Sequence, residues 1–244
     1  MAHFLATRFN VAGFTCMGVY GRNIESVQAV AKFANTSVTG LLTDIKEGGD
    51  CCIIAVSDAA LEEVVKPLEF RETVLIHTAG SQPLDMLQAE CKGVIWCIYS
   101  ILKNELPQHR EIPIIIDGNT DRSLEVLRKL ACAVSNTVHE ETYESRQHMH
   151  LAAVIGNNFT NHLIVICERV CKEHNIPFSL FYPILQQTFE RITRTSPALL
   201  QTGPAMRGDD VTMQRQIAQL QHHPDWQVVY KAISTSIENW YKKG

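Results

Sequence analysis

RQHMHLAAVIGNNFTNHLIVICERV, residues 146–170, sets the reading of the whole chain. Met149, Leu151, Ala152, Val154, Ile155, Phe159, Leu163, Ile164, Ile166 and Val170 fall on nearly every helical bearing. That is the pattern of a helix packed on all sides, and it predicts the central buried helix of a domain. At about 100° per residue, His150, Asn157 and Asn161 lie within about 20° of one bearing. Asn158 stands roughly 60° further round, with His162 one helical turn beyond it. A buried amide without a partner costs several kcal/mol, so this polar stripe must meet other polar groups, water or a ligand. A satisfied core network or an interface accounts for it as well as a binding site does.

Downstream of this stretch the pattern stays helical, over Phe178–Ser196, Val211–Leu220 and Asp225–Lys243, with Pro177, Pro197, Gly203-Pro204 and Pro224 at the boundaries. Upstream it changes character. Residues 2–13 read as a short amphipathic helix, Thr15–Tyr20 as a strand and Ile24–Ala34 as a second helix, with a short strand and loop over 38–47. CCIIAV after Asp50 and VLIH after Thr73 are continuous apolar strands of the kind buried on both faces of a parallel sheet. A short helix over Leu84–Cys91, strands over Gly93–Ser100 and Ile112–Asp117, a helix over 121–133 and a strand-like 137–139 complete the upstream part. Strands alternating with short helices predict an α/β layer with a mostly parallel sheet over residues 1–118, followed by an all-helical domain over 119–244.

The chain has 244 residues, 45% of them hydrophobic, and a net charge of −4 with neither sign concentrated. That balance argues against nucleic acid or an anionic membrane as a partner. The eight cysteines are scattered, without C-x-x-C pairs or zinc-like spacing with His, and read as core thiols of a cytoplasmic protein with no metal site. Asn157–His162 interrupts the longest apolar run, so no membrane span is expected.

Three places offer chemistry. In an open parallel sheet, ligands collect beyond the carboxyl ends of the strands. His77-Thr78-Ala79-Gly80-Ser81 ends one such strand and Ser57-Asp58 another. A His bonding to backbone and a plain helix cap are the competing accounts of these two. Arg22-Asn23 follows the Thr15–Tyr20 strand, where a basic side chain accommodates a 2′-phosphate and Asn23 can add a ribose or phosphate hydrogen bond; an exposed turn is the alternative. Third, QTGPAMRGD, residues 201–209, combines a Gly-Pro turn with Thr202 and Arg207 and suits an anionic or polar ligand, unless Arg207 pairs with Asp209 or Asp210. Tyr99 is a further donor, although strand aromatics are more often packing.

IHTAGS (76–81), HLAAVIGNNFTNHL (150–163) and QTGPAMRGD (201–209), in this order, resemble a family of Rossmann-like proteins with a helical C-terminal domain of uncharacterised function. The family comprises candidate NADP oxidoreductases, relatives of pyrroline-5-carboxylate reductase, ketopantoate reductase and the deazaflavin-dependent NADP reductases. The resemblance covers nearly the whole chain. It implies an N-terminal NADP-binding domain, a helical domain of the 6-phosphogluconate dehydrogenase C-terminal type, a homodimer and a site between the domains. Matched residue by residue, Arg22 is the basic residue after the second strand, and Ala55, Val56 and Asp58 are the a-V-x-D segment along the cofactor, with Thr78 beside them. His77 and Ser81 belong to the H-x-x-G-S turn near the nicotinamide, and Asn158 is the Asn of the long helix. Thr202, Gly203, Pro204 and Arg207 match T-G-P-x-x-R. The resemblance thus implies catalytic roles for His77, Ser81 and Asn158, with His150, Asn161, Thr202, Gly203 and Arg207 contacting a small carbonyl or imine substrate.

Two departures bear on activity. The family opens with a strand and a glycine-rich loop that carries the pyrophosphate, whereas this sequence begins inside the following helix, AHFLATRF. The expectation is either further residues upstream in the native protein or a truncated, non-catalytic dimeric relative with a degenerate nucleotide site. In the segment after Gly93, Cys97 and Tyr99 stand where the family carries Pro and Gln, so the substrate pocket is expected to differ or to be degenerate.

Overall fold

The apolar runs read as buried strands form the middle of one sheet. In the computed structural model, which describes residues 1–45, 48–68, 70–102 and 105–241, five strands lie side by side in chain order. They are β1 (Cys51–Ile54), β2 (Val74–His77), β3 (Lys92–Cys97), β4 (Ile114–Gly118) and β5 (Val138–Glu140). All pairings are parallel except β3 with β4, where Cys97 faces Ile114 and Gly93 faces Gly118.

Successive side chains alternate between the two faces, and both faces are covered, which is why every residue of β2 is buried. On one face Val74, Ile76, Ile95, Ile114 and Ile116 pack under the helices α1 (Ala2–Val11) and α4 (Asp121–Val134), through Phe4, Leu5, Leu127, Leu130 and Val134. On the other, Ile54 and Leu75 pack against Leu61 and Val65 of α3 (Asp58–Val65). Val94, Trp96 and Ile115 continue that face and receive Met149. Each fully buried aliphatic side chain here contributes about 2 kcal/mol of apolar burial.

Side chains cap several helices, although Ser57, weighed as a plain helix cap, makes no side-chain bond at the start of α3. Asn23 accepts from the Ser26 amide to start α2 (Ile24–Phe33), Thr120 from Ser123 to start α4, and Thr142 from Ser145 to start α5 (Tyr143–Ala153). Further helices are α6 (Thr160–Glu173), α7 (Tyr182–Ile192), α8 (Pro197–Leu200), α9 (Pro204–Arg207), α10 (Asp210–Gln219) and α11 (Pro224–Tyr241). Residues 46 and 47 of the expected 38–47 segment and 242–243 of the last expected helix lie outside the described residues. Leu84–Cys91 yields only a 3-10 turn at Leu84–Met86, ahead of the parallel bridge from Phe70 to Ala89.

Three differences from the sequence reading have physical causes. First, Thr15–Tyr20 does not form a strand. It makes a single parallel bridge, Val19 with Val38, and a strand needs a longer ladder on at least one edge. β1 is accordingly an edge strand of the described sheet. Second, α5 and α6 are joined by a π segment, Val154–Phe159, whose bonds run from i to i+5. The wider turn breaks the constant angular step, so His150, Asn157 and Asn161 do not form the regular stripe expected of an α-helix. Third, the long helical run is not enclosed in the single chain. Arg146 is the only buried residue of α5 and Cys171 the only one of α6, while Leu151, Ile155 and Phe159 are all more than half exposed. Apolar positions reveal what needs covering and not what covers it.

The chain divides into two compact units, Met1–Asn157 and Asn158–Gly244. The first runs beyond residue 118 because α4 packs on β4 and β5 pairs with β4, which holds 121–140 on the sheet.

Within the first unit, Arg146 is fully buried. Its guanidinium donates to Asp117 Oδ2 at 2.9 and 3.3 Å, and to the carbonyls of Gly80 and Gln82 at 2.8 and 3.0 Å. One side chain thus ties α5 to the end of β4 and to the turn after β2. Gly80 is pressed against Trp96: a Cβ there would lie 2.4 Å from the indole ring, so only glycine fits.

His77 is fully buried beside this network. Its Nδ1 accepts the Ala79 N–H at 3.2 Å, so the neutral ring carries its proton on Nε2, which has no hydrogen-bond partner among the described residues. Burial, reinforced by the Arg146 guanidinium, lowers its pKa to about 4. The Pro83 carbonyl and Asp58 oppose the shift, the former without the geometry of a hydrogen bond.

Replacing Arg146 with Met is expected to cost about 3 kcal/mol in urea unfolding, because the Asp117 carboxylate and two carbonyls lose their donor. Arg128→Gln, which breaks the exposed pair with Glu140, is expected to cost less than about 1 kcal/mol. For His77, the unfolded chain binds the proton near pH 6.5 and the folded chain only near pH 4. The stabilisation from keeping the ring neutral is therefore complete above pH 6.5 and is lost as pH falls toward 4, by up to about 1.4 kcal/mol per unit. Unfolding midpoints at pH 7 and 5.5 should fall further in the wild type than in His77→Gln.

Candidate functional site

β1 and β2 are adjacent and parallel, so their carboxyl ends open on the same edge of the sheet. The chain leaves β1 through half-buried Ala55 and exposed Val56, then starts α3 at Asp58. It leaves β2 through Thr78, whose N–H donates to the Ile54 carbonyl, and turns over Gly80 to Ser81. The two ends meet where Ser81 Oγ donates to Asp58 Oδ2 at 2.7 Å. Seven expected residues, Ala55, Val56, Asp58, His77, Thr78, Ser81 and, from α5, His150, thus lie in the first unit around the sheet. His150 is half-buried, with its ring 5.8 Å from that of Trp96.

Expected roles change in three cases. His77, read as facing a ligand, is enclosed and holds the turn through Ala79. Ser81, read as a donor, has its O–H directed to Asp58, so its oxygen is left to accept. Asn23 uses its side-chain oxygen to cap α2, which leaves only its amide N–H group for a ribose or phosphate. Arg22 is exposed at the end of the Val19 segment, where Nη1 donates to Glu63 Oε2 at 3.1 Å.

The remaining expected residues belong to the second unit, together with the last residues of the π segment. Asn158 and Asn161 are exposed at the start of that unit. In the 201–209 turn, Gly203 adopts φ +107, which suits glycine, and Pro204 opens α9. Gly208, at φ +70, ends α9, and Asp209 caps α10 by accepting from the Thr212 amide. That bond, with Arg207 as a weaker influence, holds the Asp209 carboxyl below its usual range. Thr202 and Arg207 are exposed, and Arg207 forms no ion pair with Asp209 or Asp210.

The sequence reading missed Arg146, Asp117 and Glu63. Two signals were available: Arg146 lies three residues before Met149, hence on the face that packs on the sheet, and Asp117 closes the apolar strand IPIIID. Glu63 carries no comparable mark, since an acidic residue on the outer face of a short helix is ordinary.

Among the described residues, no helix is long and apolar enough to cross a membrane. No curated protein matches the chain. A candidate NADP oxidoreductase from Bacteroides fragilis is 28% identical, with a TM-score of 0.87 over 97% of this chain and 93% of that one. Two further solved structures share the fold. A reductive aminase from Aspergillus terreus, in complex with NADPH and ethyl-5-oxohexanoate, has a TM-score of 0.75 at 12% identity, over 100% and 92% of the two chains. An imine reductase from Myxococcus stipitatus, in complex with NADP+, has a TM-score of 0.67 at 14% identity, over 98% and 90%. The α/β sheet followed by helices is therefore the Rossmann-like architecture with a helical C-terminal region. Residues 112–237, more than half of the chain, match the domain of unknown function DUF2520, and the chain belongs to that family.

Proposed function

We propose that this chain is an NADP-dependent oxidoreductase that transfers a hydride between NADP(H) and a small carbonyl or imine substrate, and that it works as a homodimer. The observation that carries the reading is the pair of adjacent parallel strand ends, β1 and β2, closed by the Ser81–Asp58 hydrogen bond. Open α/β sheets gather ligands at that edge. The 28% identity to a candidate NADP oxidoreductase supports the choice of cofactor.

The donor set fits a dinucleotide in two respects. Arg22 offers an exposed guanidinium for a 2′-phosphate, and Ala55, Val56, Asp58 and Thr78 sit at the two strand ends. When bound, the nicotinamide would supply the hydride. The chain's own contribution is polar. Because Ser81 donates its O–H to Asp58, the Ser81 oxygen is left to accept a hydrogen bond and is backed by a carboxylate. That arrangement favours the N–H of a protonated imine over the oxygen of a carbonyl. His77, neutral and enclosed, keeps the turn in place and exchanges no proton near neutral pH. Within the first unit His150 is the candidate for substrate; within the second, Asn158 keeps its expected catalytic role, and Asn161, Thr202, Gly203 and Arg207 are that unit's own candidates for substrate.

The homodimer rests on a separate observation. Leu151, Ile155 and Phe159 recur at intervals of four along the helical run and are exposed by 56%, 53% and 58% in the single chain. Exposed large apolar side chains clustered along one run are normally covered, and here a second copy of the chain would cover them.

Thermal unfolding with saturating NADPH should shift the midpoint upward by several degrees, since about 100-fold excess over Kd adds about 2.7 kcal/mol. Ser81→Ala should retain that shift while losing at least about tenfold in the rate of NADPH oxidation with 1-pyrroline. No shift with NADPH would remove the oxidoreductase reading and leave a non-catalytic dimeric protein. Light scattering should give twice the 27.4 kDa chain mass, and Phe159→Lys should reduce it to the monomer. A wild-type monomer would refute the association.

A further inference from the structure

Arg22 and Glu63 come from separate elements. Arg22 directly precedes Asn23, the cap of α2, and Glu63 lies on α3, the helix that leaves β1. Their contact is monodentate, Nη1 to Oε2 at 3.1 Å, and both side chains are about two-thirds exposed, at 66% and 71%. No hydrogen bond ties Arg22 Nε or Nη2 to another described residue. An exposed single-contact pair of this kind adds little to stability and separates easily. Its effect is felt instead by whatever anion approaches the guanidinium.

The two side chains ask opposite things of a ribose. A guanidinium accommodates a 2′-phosphate, whereas a carboxylate accepts from a free 2′-hydroxyl and repels a phosphate. A nucleotide site normally carries one or the other. Here both stand within hydrogen-bond distance of each other, so the carboxylate occupies and partly neutralises the group that would select the phosphate.

We propose that Glu63 is a specificity-determining residue: paired with Arg22, it makes a two-sided selector that takes the 2′-phosphate on the guanidinium and the 2′-hydroxyl on the carboxylate. The chain therefore discriminates weakly between the phosphorylated and unphosphorylated dinucleotides. This rests on the dinucleotide reading given under the proposed function.

The test is calorimetric titration of the full chain and of Glu63→Gln and Arg22→Gln with NADPH, 2′,5′-ADP and 5′-ADP. In the wild type, 2′,5′-ADP and 5′-ADP should bind within about tenfold of each other. Glu63→Gln should tighten 2′,5′-ADP by about three- to tenfold, less so at high salt, and leave 5′-ADP unchanged or weaker. Arg22→Gln should reverse the preference and weaken 2′,5′-ADP by more than about tenfold. If Arg22→Gln acts as stated but Glu63→Gln leaves the ratio of the two probes unaltered, Glu63 is a bystander and the inference falls alone. If NADPH binds and neither substitution changes the ratio, the ribose sits elsewhere and the inference falls while the dinucleotide reading stands. If the wild type binds none of the three, both fall together. Both side chains are exposed, so neither variant should lose the fold.

Discussion

Arg146 carries a full charge into a place with no solvent, and the first unit is arranged around making that tolerable. A buried guanidinium needs several acceptors, and this one has the Asp117 carboxylate and two carbonyls from the turn after β2. Those acceptors come from two regions, distant in sequence from Arg146 and from each other. Satisfying the charge therefore fixes where α5 begins relative to the end of β4 and how the 80–82 turn is shaped. Trp96 completes the constraint by pressing on Gly80, where no side chain fits.

The candidate chemistry follows from this arrangement. With the turn fixed, Ser81 reaches Asp58 across the ends of two parallel strands, and His77 is sealed beneath them in its neutral form. The polar groups left facing outward are an acceptor backed by a carboxylate, an exposed pair of opposite charges at Arg22 and Glu63, and the strand-end backbone around Ala55 and Val56. Such a set can bind and orient a ligand.

The long helical run shows how one sequence feature can have two physical causes. Apolar residues on every bearing were consistent with burial inside one domain, yet in the single chain Leu151, Ile155 and Phe159 are open. The same residues satisfy the pattern if a second chain covers them. The polar residues of the run depended on an assumption of constant helical pitch, which the π segment at Val154–Phe159 breaks. Glycine and two consecutive asparagines there are weak helix formers, but nothing in their identity specifies a π turn rather than a kink or a break.

What the sequence by itself determined was local. Continuous apolar runs of three or four residues made the centres of β1 to β4, capping side chains at Asn23, Thr120, Thr142 and Asp209 started helices, and Gly203-Pro204 and Gly208 bounded the short helix between them. These depend on neighbours within a few residues, and a linear reading reaches that far. Thr15–Tyr20 failed as a strand because a ladder is a property of two segments, and only Val19 found a partner. His77 and Ser81 were found as residues but not as roles: whether a hydroxyl donates or accepts, and whether an imidazole is charged, is decided by Asp58, Arg146 and the depth of burial. Arg146, Asp117, Gly80 and Gln82 form one electrostatic unit across a span of 66 residues. Only tertiary structure sets such a network, because the energy of a buried charge depends on groups that the chain brings together from far apart.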